Sequence, residues 1–115
     1  KAILTNSPRE HADRVLAHLG VADRFSRVFD IRHNRFQGKP YQDTYRNVVA
    51  ALGRRIDEVL FVDDMPRYLL PFRDLGGRCL LVDEDGGDGS GLDAIRRITE
   101  LEDFLKTTYF LGGVK

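Results

Sequence analysis

The chain has no tryptophan, a single cysteine, a single methionine and no surplus of charge of either sign. A lone Cys79 cannot close an internal disulfide, and its place in the run Cys79-Leu80-Leu81-Val82 suits a small buried hydrophobe. Lys and Arg number 18 against 18 for Asp and Glu. That balance leaves no electrostatic footprint for nucleic acid or for an acidic membrane surface. No apolar run approaches the ~18 residues that a membrane helix needs. P-loop, serine-hydrolase elbow and dinucleotide-type glycine motifs are all missing. The three histidines, His11, His18 and His33, have no metal-ligand spacing, and the first two fall off the apolar face of their helix. What is left is an ordinary soluble composition, 42% hydrophobic and 31% charged over 115 residues. It fits one core domain, residues 1–110, with a loose tail at 111–115 and the cytoplasm as default compartment.

What is present alternates. A short apolar run at 2–5 reads as a buried strand, followed by Ser7-Pro8-Arg9-Glu10, a helix start with Ser7 as N-cap and Glu10 completing a capping box. Ala12, Val15, Leu16 and Leu19 make one helical stripe, and Gly20 stops it. A second strand is expected at 27–31, a polar loop at 32–38, and a second helix from near Pro40 to Gly53. A third strand at 58–62 ends in Asp63-Asp64. Pro71 lacks a donor, so the following segment predicts a kink, or a turn and then a helix at 71–75. The fourth strand is 78–82, the stretch 83–91 is a glycine-rich loop, and Thr99 with Glu102 caps a last helix at 100–107. Apolar strands that alternate with helices argue for an α/β fold, a Rossmann-like parallel sheet with helices on both faces. Ligands bind such sheets at the carboxyl ends of the strands.

Two of those strand ends carry uncommon chemistry. Asp63 and Asp64 are adjacent carboxylates that repel each other and invite a cation. Magnesium takes one or two carboxylates and keeps several waters; a solvated turn with Asp64 as helix N-cap accounts for the pair equally well. Lys39 stands where a loop enters a helix, against the dipole, so a phosphate or a buried carboxylate would justify it, although exposed loop lysines are commoner. Thr5 and the backbone N–H groups after it suit an anion, or form a plain strand-end turn.

The order of these elements, strand–Thr-Asn, then Lys-Pro at a helix start, then strand–Asp-Asp, resembles the haloacid dehalogenase-type hydrolase superfamily. "ILTNSPREHADRVLAHLGVADRFSRVFD", "GKPYQDTYRNVVAALG" and "EVLFVDDMPRYLLPFRDLG" are most like its pyrimidine 5′-nucleotidase-like branch. The resemblance covers roughly residues 2 to 105. It implies that Thr5 and Asn6 bind the transferring phosphoryl group and that Lys39 neutralises its oxygens and orients the nucleophile. It also implies that Asp64, with Asp63, holds Mg2+, in an enzyme acting on a small phosphorylated metabolite.

The family's first motif, an apolar strand and then Asp-x-Asp, has no counterpart before Lys1, and neither has the cap that follows it. The resemblance therefore implies a fold whose central, nucleophile-bearing strand is absent from this chain. The strand order expected is 28–31, 2–5, the absent strand, 58–62, 79–82. The absent place would be filled by a strand donor, a segment upstream in the first instance or else a second copy; the remaining outcome is that strand 2–5 pairs directly with 58–62 and closes the sheet to four strands. Asp83-Glu84-Asp85 could be a permuted first motif, but Gly87 stands where Thr or Val belongs. Receiver domains use similar residues in a different order. The competing functional class is a non-catalytic module that binds phosphate, metal or a protein.

Overall fold

The computed structural model describes residues 1–20, 22–33, 37–87 and 89–105. The chain divides into two compact units, 1–56 and 57–115, and each is described by itself.

The first unit pairs β1 (Ala2–Leu4) with β2 (Arg27–Phe29) in parallel, Ile3 opposite Val28. The ladder continues past the strands, with Ser26 N–H donating to the Lys1 carbonyl at 2.8 Å and Thr5 N–H to the Phe29 carbonyl at 3.0 Å. Between them runs α1 (Arg9–Leu19), closed by Gly20 at φ 70°, a left-handed cap that glycine adopts without steric cost. The expected stripe on α1 is only half covered: Ala12 is buried and Leu16 half-buried, while Val15 and Leu19 are 42% and 64% exposed. α2 (Gln42–Ala51) buries Thr44, Tyr45, Val48 and Val49 on one face. The Arg27 guanidinium lies 4.6 Å from the Phe29 ring centre and donates to the Ala51 carbonyl at 2.7 Å, so β2 holds the open end of α2.

The second unit is a parallel sheet ordered β3-β4-β5: Leu60–Asp63, Arg78–Val82 and Ala94–Ile95. β5 lies in a segment to which the sequence assigns no strand, because two residues carry no readable period. α3 runs unbroken from Pro66 to Asp74 through Pro71, against the expectation of a kink or turn. Pro66 occupies the first turn, where its missing donor costs nothing. Pro71 forfeits one bond near the far end, and burial of Leu69 and Phe72 outweighs it, at ~1.5–3 kcal/mol for each large apolar side chain. Phe72 meets Phe61 edge-on at 5.5 Å. Gly77 makes that seat possible, since a Cβ there would lie 2.2 Å from the Phe72 ring. Cys79 is half-buried, donates to the Leu69 carbonyl at 3.2 Å, and burial pushes its thiol up to about 11.

A turn of 3-10 type at Ile98–Glu100 leads into α4 (Leu101–Leu105). Its start, at Arg97, has no side-chain cap; Glu100 instead accepts the Arg96 N–H at 3.1 Å. The expected end of that helix and the tail at 111–115 lie outside the described residues. The α/β class with parallel strands holds, and the expected neighbours β1–β2 and β3–β4 are those observed.

Candidate active site

Thr5 follows β1 directly. Its Oγ1 accepts the Ser7 N–H at 3.1 Å, and the Ser7 carbonyl accepts Ile31 N–H at 3.2 Å. Ser7 is thereby drawn into the turn, and α1 begins later than its sequence suggests, with Pro8 at the N-cap position and no capping bond from its own segment. Glu10 forms no capping box. It pairs with Arg32 at 2.7 Å, and that guanidinium lowers the Glu10 carboxyl below its ordinary range.

The cap comes from β2. Asp30 stands just past Phe29, 8% exposed, with Oδ2 accepting the Arg9 N–H at 2.9 Å and Oδ1 accepting the His33 N–H at 2.8 Å. The His33 N–H bond, then that of Arg9, holds its carboxyl below the usual range against the opposing effect of burial. Asp30 falls inside the strand expected at 27–31; an acid directly after the apolar pair Val28-Phe29 is its one signal in the sequence. The His33 ring packs edge-on against Phe29 at 4.9 Å.

Lys39 is set in place by its backbone. Its N–H donates to Asn6 Oδ1 at 2.8 Å, and its carbonyl accepts from Asn6 Nδ2 at 3.2 Å. The buried Thr44 hydroxyl donates to the carbonyls of Gln37 and Gly38. Thr44, in the first turn of α2, is a second residue that sequence reasoning missed; a threonine on the buried face of a helix is its only sign. Thr5, Asn6 and Lys39 are thus assembled within the first unit, at the carboxyl end of β1.

Asp63 and Asp64 belong to the second unit. Asp63 closes β3, and its Oδ1 accepts the Met65 N–H at 3.0 Å; Asp64 follows, exposed. The cap position of α3 falls on Met65 and carries no side-chain bond, so Asp64 is not the N-cap that the plain reading offered. Two adjacent oxygen donors at a strand end fit magnesium's habit of taking one or two carboxylates and completing its shell with water. No group of three or more His, Cys, Asp or Glu arranged to hold a metal ion occurs among the described residues. Asp83 holds a turn at the end of β4, its Oδ1 accepting Gly86 N–H at 3.1 Å. A shallow cavity of about 230 Å³ between Arg73, Arg78, Cys79 and Asp93 opens at the amino end of β4, away from these carboxylates. No helix among the described residues is long and apolar enough to cross a membrane.

Parallel strands with acid and hydroxyl groups at their carboxyl ends define an α/β domain of Rossmann-like type. The match of residues 1–76 to the model for haloacid dehalogenase-like hydrolases places the chain in that family. Similar solved structures include an L-2-haloacid dehalogenase from Xanthobacter autotrophicus, 20% identical, covering 93% of this chain and 55% of that one at a TM-score of 0.81. A HAD phosphatase from Thermococcus onnurineus is 22% identical over 90% of this chain and 49% of its own, at 0.76. A HAD-hydrolase from Bacillus subtilis, YfnB, bound to magnesium, is 20% identical over 91% and 47%, at 0.79. The chain therefore spans about half the length of these proteins. No relative was found among curated protein sequences.

Proposed function

We propose that this chain is the phosphate- and magnesium-binding part of a phosphatase that hydrolyses a small phosphomonoester, of the nucleoside 5′-monophosphate kind. In this reading the Thr5 hydroxyl and the Asn6 backbone N–H receive the phosphoryl oxygens, and Lys39 neutralises them. Phosphoryl transfer is mostly positioning and charge stabilisation, which is what such residues supply. Asp63 and Asp64 would hold Mg2+, whose charge would stabilise a transferring phosphoryl group. The nucleophilic aspartate that forms the aspartyl phosphate lies outside this chain.

The observation that carries the reading is the bond pair between Asn6 and the Lys39 backbone, which ties the lysine loop to the residue beside Thr5. Support for an added strand comes from the sheets: β1 pairs with β2 and β3 with β4, and β1 and β3 each lie at an edge of their own sheet among the described residues. An upstream segment, or a second copy, would supply that strand, and the assembled enzyme would work in the cytoplasm.

The test is a nucleotidase assay on the isolated, magnesium-loaded chain, beside the same chain extended upstream in its own gene. The extended protein turns over and loses activity in Lys39→Ala and Asp64→Ala; the isolated chain does not turn over. Turnover by the isolated chain that survives Asp64→Ala contradicts both the metal role and the external nucleophile. A gene that starts near Lys1 would favour a binding module.

A further inference from the structure

The Asn6 carboxamide does something more specific than line a phosphate site. Its oxygen takes the Lys39 N–H at 2.8 Å and its nitrogen gives to the Lys39 carbonyl at 3.2 Å. One side chain thus satisfies both backbone groups of one residue, across 33 positions of sequence. A carboxamide can accept and donate in this way, whereas a carboxylate lacks the donor and a hydroxyl lacks the second arm. Both polar atoms of the side chain are engaged by the Lys39 backbone.

Gly38 confirms that the approach is built in. It is buried, and a Cβ there would stand 2.2 Å from Asn6 Oδ1 and 2.6 Å from its Cγ. Gly38 is not among the glycines of positive φ. Its requirement for glycine is therefore the nearness of the Asn6 side chain, not an unusual backbone conformation. Residues 37 to 39 are pinned by two side chains: the Thr44 hydroxyl donates to the carbonyls of Gln37 and Gly38, and Asn6 takes both backbone groups of Lys39.

We propose that the Asn6 side chain is a positioning group for Lys39, clamping the lysine's backbone through the space left by Gly38, and that this side chain acts on a phosphate through Lys39 rather than by touching it. The proposal rests on the reading of Lys39 as a phosphate-binding residue.

The test uses the whole chain, inorganic phosphate as probe, and two readouts: amide hydrogen exchange at Lys39 by NMR, and phosphate affinity by titration. In Asn6→Ala the Lys39 amide exchanges about fivefold faster, the worth of one hydrogen bond near 1 kcal/mol, and phosphate binds several-fold more weakly. Asn6→Ala and Lys39→Ala do not add: the double variant binds phosphate no worse than Lys39→Ala alone. Gly38→Ala, which evicts the carboxamide, repeats the effects of Asn6→Ala, whereas Asn6→Asp keeps the acceptor and the Lys39 amide stays protected. Unchanged Lys39 exchange in Asn6→Ala, or fully additive losses of phosphate affinity, overturns the proposal. Failure of the unaltered chain to bind phosphate overturns the phosphate reading and the positioning role with it. Faster Lys39 exchange would still mark the clamp in that case, so the two failures separate.

Discussion

Asp30, at the end of β2, caps a helix that begins 21 residues earlier in the chain, its Oδ2 lying 2.9 Å from the Arg9 amide. The same carboxylate holds the His33 amide at 2.8 Å. One buried side chain therefore fixes both the start of α1 and the loop after β2. Asp30→Ala is expected to cost about 2 kcal/mol, near the upper end for a lost N-cap, because two donors lose their partner. Thermal unfolding would check it: a fall of roughly 8–16 °C is expected for a unit of this size. A shift under 2 °C would show that the cap carries no weight.

The same bonds set an acid limb. The Asp30 carboxyl is held below its ordinary value by the His33 and Arg9 amides, and Glu10 is held low by Arg32. A carboxyl whose folded value is depressed gives stability that is present above its unfolded value, about 4, and is lost as pH falls through the folded value. Stability should thus be level from neutrality down to about pH 5 and decline below about pH 4. Asp30→Asn, which has no proton to take up, should flatten that decline. Denaturant midpoints measured at pH 7, 5 and 3 decide it; an equal decline in the variant would assign the acid limb to other carboxylates.

Cys79 answers to the opposite sign. Burial raises its thiol to about 11, so the neutral form is favoured in the folded state. At pH 8 the folded thiol should be in the thiolate form roughly a hundredfold less often than an exposed one near 9, and the thiolate is the reactive species. Modification by a disulfide reagent should therefore be slow in the native protein and become fast in guanidinium. Equal rates in both would mean that Cys79 is open to solvent as a thiolate.

Legibility from sequence differed by feature, and each difference has a cause. The strand at 78–82 was readable residue for residue, because a parallel strand is one continuous apolar run. Lys39, Thr5 and Asn6 were readable as a group only through their order along the chain. What joins Asn6 to Lys39 was not, since a bond between residues 33 apart has no local signature. The same holds for Asp30, whose partner Arg9 lies upstream of it across a whole helix. Ser7 and Glu10 looked like a capping box because the pattern is local, yet two competing bonds, Thr5 to Ser7 and Arg32 to Glu10, claim both residues. Pro71 misled in the other direction: its local penalty is real, and tertiary burial of Leu69 and Phe72 overrides it.

Thr44 provides the sharpest check on how the lysine loop is held. Its side chain is 2% exposed, and its hydroxyl donates to both the Gln37 and the Gly38 carbonyl. Thr44→Val keeps the shape and removes the donor, leaving two partly buried carbonyls without that partner. An unsatisfied buried acceptor costs about 1–3 kcal/mol, so the variant should unfold at lower denaturant by an amount in that range. Thr44→Ser restores the donor and loses a methyl group, and should recover most of the stability, short of about 1 kcal/mol. The two variants also separate packing from hydrogen bonding at the site itself. If the hydroxyl fixes residues 37–39, Thr44→Val should speed amide exchange at Lys39 and weaken phosphate binding, while Thr44→Ser changes neither. If Thr44 matters only as a filled volume, Thr44→Ser should be the more harmful of the two, and that result would remove Thr44 from the support of Lys39.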